Sequence, residues 1–178
     1  LAICRRIVVL MGGEIRVESE PGRGSAFTFT IRVDIAAPRA EQEAALPPGL
    51  HGLRVLAVDD NAASRMVMER ILQSFGFRVD QAENAEEGLE TLALSRESGD
   101  PVRLVVMDWR LPVMDGIEAM RDIRRRYGGD GPRVVMVPAY GRESEMVRAR
   151  QAGVDSFLIK PIKQSVLFDT IMEIYGHA

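Results

Sequence analysis

Three aspartates and a lysine stand where apolar runs end. Leu53–Val58 stops at Asp59-Asp60, Leu104–Met107 stops at Asp108, and Phe157–Ile159 stops at Lys160. If those runs are strands of one parallel sheet, the carboxylates converge at its carboxyl edge, where open α/β folds place their chemistry. Two carboxylates about 4 Å apart repel by about 4 kcal/mol at an effective dielectric near 20. Such a cluster calls for protonation, a cation, or both. A hard divalent ion bound through oxygen suits it, and Mg2+ commonly takes one or two carboxylates, waters and a phosphate. Lys160, a compact point charge, suits a phosphoryl group. Taken singly, each residue has a plainer reading. Asp59 and Asp60 are then helix caps, Asp108 a turn acid before "WRLPVMDG", and Lys160 a solvated strand end. Their conjunction on three strand ends favours chemistry.

The elements that must position these groups follow from periodicity. The strand-like runs are Leu53–Val58, Phe77–Val79, Leu104–Met107, Val134–Val137 and Phe157–Ile159. Helical spacing lies between them. Ala63, Val67 and Ile71 fall four apart, with Leu72 and Phe75 widening the stripe; Leu89 pairs with Leu92, and Ile117 with Met120 and Ile123. Leu167, Ile171 and Ile174 mark a terminal helix. Asn84 and Asp115 occupy N-cap positions, while Gly76 and Gly153 mark helix ends. These stripes read as core. The alternation predicts a doubly wound, five-stranded parallel sheet with helices on both faces.

The first 35 residues differ. "LAICRRIVVLMGG" reads as a helix ending at Gly12-Gly13, and the next stretch alternates about the turn Pro21-Gly22-Arg23-Gly24, the mark of a β-hairpin. One helix and one hairpin bury too little surface to stand alone. Residues 36–50, with Pro38 and Pro47-Pro48, read as a linker holding at most a short helix over Glu41–Leu46. The divisions expected are therefore 1–35, 36–50 and 51–178.

Across 178 residues, 46% hydrophobic and 28% charged residues describe a soluble globular chain. A net charge of −3 gives no electrostatic case for nucleic acid or an anionic membrane. The single Cys4 excludes an internal disulfide and fits a reducing, cytoplasmic setting. No apolar run approaches the roughly 18 residues of a membrane span, so any membrane segment of a parent protein lies outside this chain.

Leu53 to Tyr175 resembles the receiver domain of two-component response regulators. The residues that carry the resemblance are Asp59-Asp60, "MDWRLPVMDG" around Asp108, and Lys160-Pro161. It implies a flavodoxin-like sheet of order 2-1-3-4-5. It further implies that Asp108 is the phosphoacceptor, attacking a phosphohistidine to form an acyl phosphate. Asp60 and Asp108 would ligate Mg2+ directly, Asp59 through water, and the backbone carbonyl of Arg110 would complete the set. Lys160 would pair with the phosphoryl oxygens. In such transfer, positioning and charge neutralisation supply most of the catalysis. Residues 1–35, including Gly22 to Phe27, resemble the end of the ATPase domain of sensor histidine kinases. Together the two resemblances imply a piece of a hybrid histidine kinase working in a phosphorelay. Its implied partners are a histidine-kinase phosphodonor domain, a histidine phosphotransfer protein, or both. The earlier nucleotide-binding motifs and the phosphorylatable-histidine segment are absent from the chain, which is therefore expected to have no kinase activity of its own. His51 and His177 read as solvated.

One position departs from the receiver pattern. Receivers usually carry Thr or Ser where Pro138 stands, followed by a small residue, here Ala139. The hydroxyl bonds the new phosphoryl group, and an aromatic, here Phe157, moves into the vacated space. Proline has no hydroxyl, although as a plain strand end it is ordinary. The alternative function is thus a pseudo-receiver, an interaction module whose output ignores phosphate. A dehalogenase-like phosphatase would want an acid at Arg110, and a flavin-binding flavodoxin would want hydroxyls at Asp59 and Asp60. On the terminal helix, Phe168, Met172 and Tyr175 offer either ordinary surface or a face for pairing into a homodimer.

Overall fold

Alternation about Pro21-Gly22 has the expected outcome. In the computed structural model, which describes residues 1–34, 46–138 and 143–176, a helix α1 (Ala2–Leu10) is followed by strands β1 (Ile15–Glu20) and β2 (Gly24–Phe29). The strands are antiparallel, with Val17 opposite Phe27. Gly13 lets the helix end run close to the hairpin, because a Cβ there would lie 1.8 Å from the Thr30 carbonyl oxygen. Only Val8 is buried among the described residues of this unit, and Ile3, Leu10, Phe27 and Phe29 are exposed. The pieces form, but they enclose no core.

The chain divides into two compact units, Leu1–Gln42 and Glu43–Ala178. The second holds β3 (Arg54–Val58), α2 (Ala62–Ser74), β4 (Arg78–Ala82), α3 (Ala85–Glu97), β5 (Leu104–Asp108), α4 (Gly116–Tyr127), β6 (Arg133–Val137), α5 (Glu143–Gln151), β7 (Ser156–Phe157) and α6 (Gln164–Gly176). The sheet order is β4-β3-β5-β6-β7, every pair parallel. Counted from β3, this is the order 2-1-3-4-5 of a flavodoxin-like fold. The interior strands are apolar on both faces because helices cover both. Leu56, Val105 and Met107 pack with Leu89, Ile117, Met120 and Ile123 of α3 and α4. Val55, Leu104 and Val106 pack with Leu72, Leu167 and Ile171 of α2 and α6.

Several expectations need correction. The row Ala63–Val67–Ile71 is not the buried stripe of α2: Ala63 is exposed and Val67 is 56% exposed. At 3.6 residues per turn a strict four-residue row drifts by about 40° per step. The helix buries Leu72 instead, with Met68, Ile71 and Phe75 beside it. Strand β4 runs past Phe77–Val79 to Ala82, because an edge strand tolerates polar residues, and Asp80 there pairs with Arg54 at 2.7 Å. Residues 46–50 are not a bare connector, since Leu46 and Leu50 are buried against the sheet. The short helix suggested over 41–46 falls almost wholly outside the described residues.

The α6 face is also occupied from within the domain. The Phe168 ring packs edge-on against Phe75 at 5.3 Å, Met172 is half-buried, and the Tyr175 hydroxyl donates to the Arg103 carbonyl at 2.9 Å. Burial pushes the Tyr175 phenol up to about 12, above the ordinary value near 10. The folded state therefore holds this proton more tightly than the unfolded chain. Its contribution to stability is complete below pH ~10 and is lost as pH rises from about 10 to about 12. Accordingly, the thermal midpoint of the wild type should fall over that window more steeply than that of Tyr175→Phe. Parallel curves for the two proteins would contradict this.

Candidate functional site

Strand β3 delivers Asp59 to the carboxyl edge of the sheet. The Asp59 N–H donates to the Ala82 carbonyl at 3.3 Å, continuing the ladder to β4. Its Oδ1 accepts from the Asn61 N–H at 2.9 Å and its Oδ2 from Lys160 Nζ at 2.8 Å. Asn61 is the N-cap of α2, accepting from Ala63 and Ser64 N–H groups. One turn into α2, Arg65 reaches back, its Nη1 donating to the Asp59 carbonyl at 2.6 Å. Asp60 is exposed and makes no side-chain hydrogen bond among the described residues.

Strand β5 ends on Asp108, whose side chain is 11% exposed. Its Oδ2 accepts from Lys160 Nζ at 2.5 Å and its Oδ1 from the Arg110 N–H at 3.3 Å. The loop beyond turns at Val113, whose φ of 69° is one that β-branched residues seldom adopt. Asp115 then caps α4, accepting from the Glu118 N–H at 2.8 Å. Gly116 is required by close approach: a Cβ there would lie 2.8 Å from the Asp108 carbonyl oxygen. The "DG" after the loop thus starts the helix and lets it close beneath the strand end.

Asp59, Asp60 and Asp108 each offer a carboxylate oxygen, and these oxygens lie within 4.8 Å of one another. The set consists of hard oxygen donors, partly buried on two sides and open at Asp60. Those properties fit Mg2+ and do not favour soft, thiolate-seeking metals. Lys160 reaches in from the segment after β7. Burial pushes its ammonium pKa down, but the hydrogen bonds to Asp108 and Asp59 more than offset that and leave it above the ordinary lysine value. It is therefore a full positive charge at neutral pH, set between two carboxylates.

The remaining sequence-derived positions divide. Pro138 is buried at the end of β6, and its carbonyl accepts from the Lys160 N–H at 3.2 Å. Phe157 lies half-buried on β7, with the Arg150 guanidinium 5.9 Å from its ring centroid. Ala139 lies outside the described residues. Sequence reasoning passed over Arg65. A signal for it exists, since a cation in the first turns of a helix opposes the helix dipole and asks for a local acceptor.

Both parts of the chain resemble known proteins. The family model of the response regulator receiver domain matches residues 55–172. The model of histidine kinase-, DNA gyrase B- and HSP90-like ATPases matches residues 1–35. The aerobic respiration control sensor protein ArcB of Escherichia coli K12 is 32% identical over 94% of this chain, which covers 21% of ArcB. Sensor protein EvgS of the same strain is 29% identical over 94% of this chain, and 14% of EvgS is covered. The chain thus spans about a fifth of ArcB and a seventh of EvgS. Among solved structures, the receiver domain of sensor histidine kinase PA1611 from Pseudomonas aeruginosa PAO1, with magnesium coordinated in its active site cleft, is 29% identical. It aligns over 70% of this chain and 98% of that one, with a TM-score of 0.62. No described helix is long and apolar enough to cross a membrane.

Proposed function

This chain belongs to the response regulator receiver family, and on that premise we propose that Asp108 accepts a phosphoryl group from a phosphohistidine within a phosphorelay. The observation that carries the reading is the ion pair of Lys160 with Asp108 inside a cluster of three converging carboxylates. Asp60 and Asp108 would hold Mg2+ directly, Asp59 through water, with the Arg110 carbonyl completing the set. When bound, the ion supplies charge neutralisation to the phosphoryl oxygens.

The protein's own residues do the rest. An Asp108 carboxylate oxygen forms the new P–O bond as the donor's P–N bond breaks. The electron pair stays with the imidazole, which takes a proton from solvent. The Asp108 carboxylate loses its charge as it is phosphorylated, so Lys160 transfers its hydrogen bond from Oδ2 to a phosphoryl oxygen while Asp59 keeps hold of the ammonium. The Arg110 N–H, donating to Oδ1, orients the carboxylate. Incubation with Mg2+ and a small acyl phosphate should add the mass of one phosphoryl group, and chelation of the metal should prevent it. A mass unchanged with Mg2+ present would sink the reading.

The parent of this domain is read as a hybrid sensor kinase, with residues 1–35 the end of its ATPase domain and residues 51–178 its receiver. The implied phosphodonor is a histidine-kinase domain or a histidine phosphotransfer protein.

Pro138 favours a second reading, an interaction module indifferent to phosphate. A hydrogen bond to a charged group contributes roughly 1.5–3 kcal/mol, enough to shift a two-state equilibrium by about 10- to 150-fold. Without the hydroxyl that bias is lost. Pro138→Thr should therefore gain amide shifts around Ala139, Tyr140 and Phe157 when a beryllofluoride phosphate mimic is added, and the wild type should show much smaller ones. Large shifts already present in the wild type would show that Pro138 is only a strand end.

A further inference from the structure

Asp59 is held on its backbone and on both carboxylate oxygens, and one of its holders is a charge that helix physics would not place there. Arg65 follows the N-cap Asn61 by four residues, in a stretch where the helix dipole disfavours a cation. Its side chain nonetheless turns back, half-buried, to donate to the Asp59 carbonyl at 2.6 Å. It lines the same small cavity as Asp59, Asp108, Met68 and Val137. The Asp59 N–H already donates to β4, so the guanidinium fixes the other end of this residue, at the peptide that joins Asp59 to Asp60. Asp60 has no side-chain hydrogen bond of its own among the described residues. The direction of its carboxylate therefore depends on the plane of that peptide.

We propose that Arg65 is a positioning residue, pinning the Asp59–Asp60 peptide so that the Asp60 carboxylate faces the site shared with Asp108. The proposal rests on the phosphoacceptor reading above. It separates cleanly from simple electrostatics. A cation beside a divalent-ion site repels the ion, so removing its charge alone strengthens binding. Removing the pin weakens binding, because Asp60 then samples directions that miss the metal. The two contributions have opposite signs.

Trp109, the only tryptophan, directly follows Asp108 in the chain, which makes its fluorescence the probe of metal binding. Titrating the whole chain with Mg2+ should show Arg65→Gln and Arg65→Met binding roughly threefold to tenfold more weakly than wild type, the scale of one lost hydrogen bond. Their slower phosphorylation by an acyl phosphate should recover as Mg2+ is raised, because the loss lies in metal affinity and not in the nucleophile. Thermal midpoints should stay within about 5 °C of wild type, since only one half-buried hydrogen bond is lost. Variants that fold and bind Mg2+ as tightly as wild type, or more tightly, would overturn the proposal and leave the phosphoacceptor reading standing. A wild type that neither binds Mg2+ nor takes up phosphate would overturn both.

Discussion

Replacing Asp108 by Asn should abolish phosphoryl uptake from an acyl phosphate, while wild type should gain one group that is stable in acid and labile in base. The side chain keeps its shape, but an amide oxygen is too poor a nucleophile to form the P–O bond. No neighbour takes over. Asp60 is exposed and, among the described residues, has no lysine against it. The substitution also removes one of the two carboxylates on Lys160, so the ammonium pKa should move down toward its ordinary value. Uptake by Asp108→Asn at the wild-type rate would show that the nucleophile has been misassigned.

Replacing Asp60 by Ala should cost Mg2+ affinity more than any other single change at the site that spares the nucleophile. Outer-shell partners of metal ligands typically contribute 10- to 100-fold, so losing a proposed direct ligand should cost on the order of 100-fold or more. Asp60 is also the least constrained of the three acids, exposed and without a side-chain hydrogen bond among the described residues. Its removal should therefore leave folding nearly untouched, and the thermal midpoint without metal should stay close to wild type. It should even rise slightly, because like-charge repulsion within the cluster is relieved. Unchanged Mg2+ affinity by Trp109 fluorescence would place the ion elsewhere.

The site was legible in the sequence because it is built from strand ends. An apolar run that stops on an acid or a lysine announces both the strand and the side chain it delivers, and a parallel sheet leaves those ends on one edge. Asp59, Asp108 and Lys160 meet there as their spacing implied. The helices were legible as elements but less so in their facing. A four-residue row in α2 looked like core, yet Val67 lies on the outside, because 3.6 residues per turn carries such a row around the helix. Helix α5 had no apolar stripe to announce it; only Ala149 is buried among its described side chains. Phe168 and Tyr175 looked free because their partners, Phe75 and the Arg103 carbonyl, are far away in sequence. Arg65 was passed over for a related reason. Its acceptor is a main-chain carbonyl, which carries no residue-type signature.

The most direct measurement locates the acyl phosphate chemically on the unmodified protein. After incubation with Mg2+ and acetyl phosphate, borohydride reduction converts a phosphorylated aspartate to homoserine, and peptide mass mapping finds where. The account predicts homoserine in place of Asp108, dependent on Mg2+, with Asp59 and Asp60 unchanged. Homoserine at either of those positions, or none at all under conditions where Mg2+ binds, would contradict it.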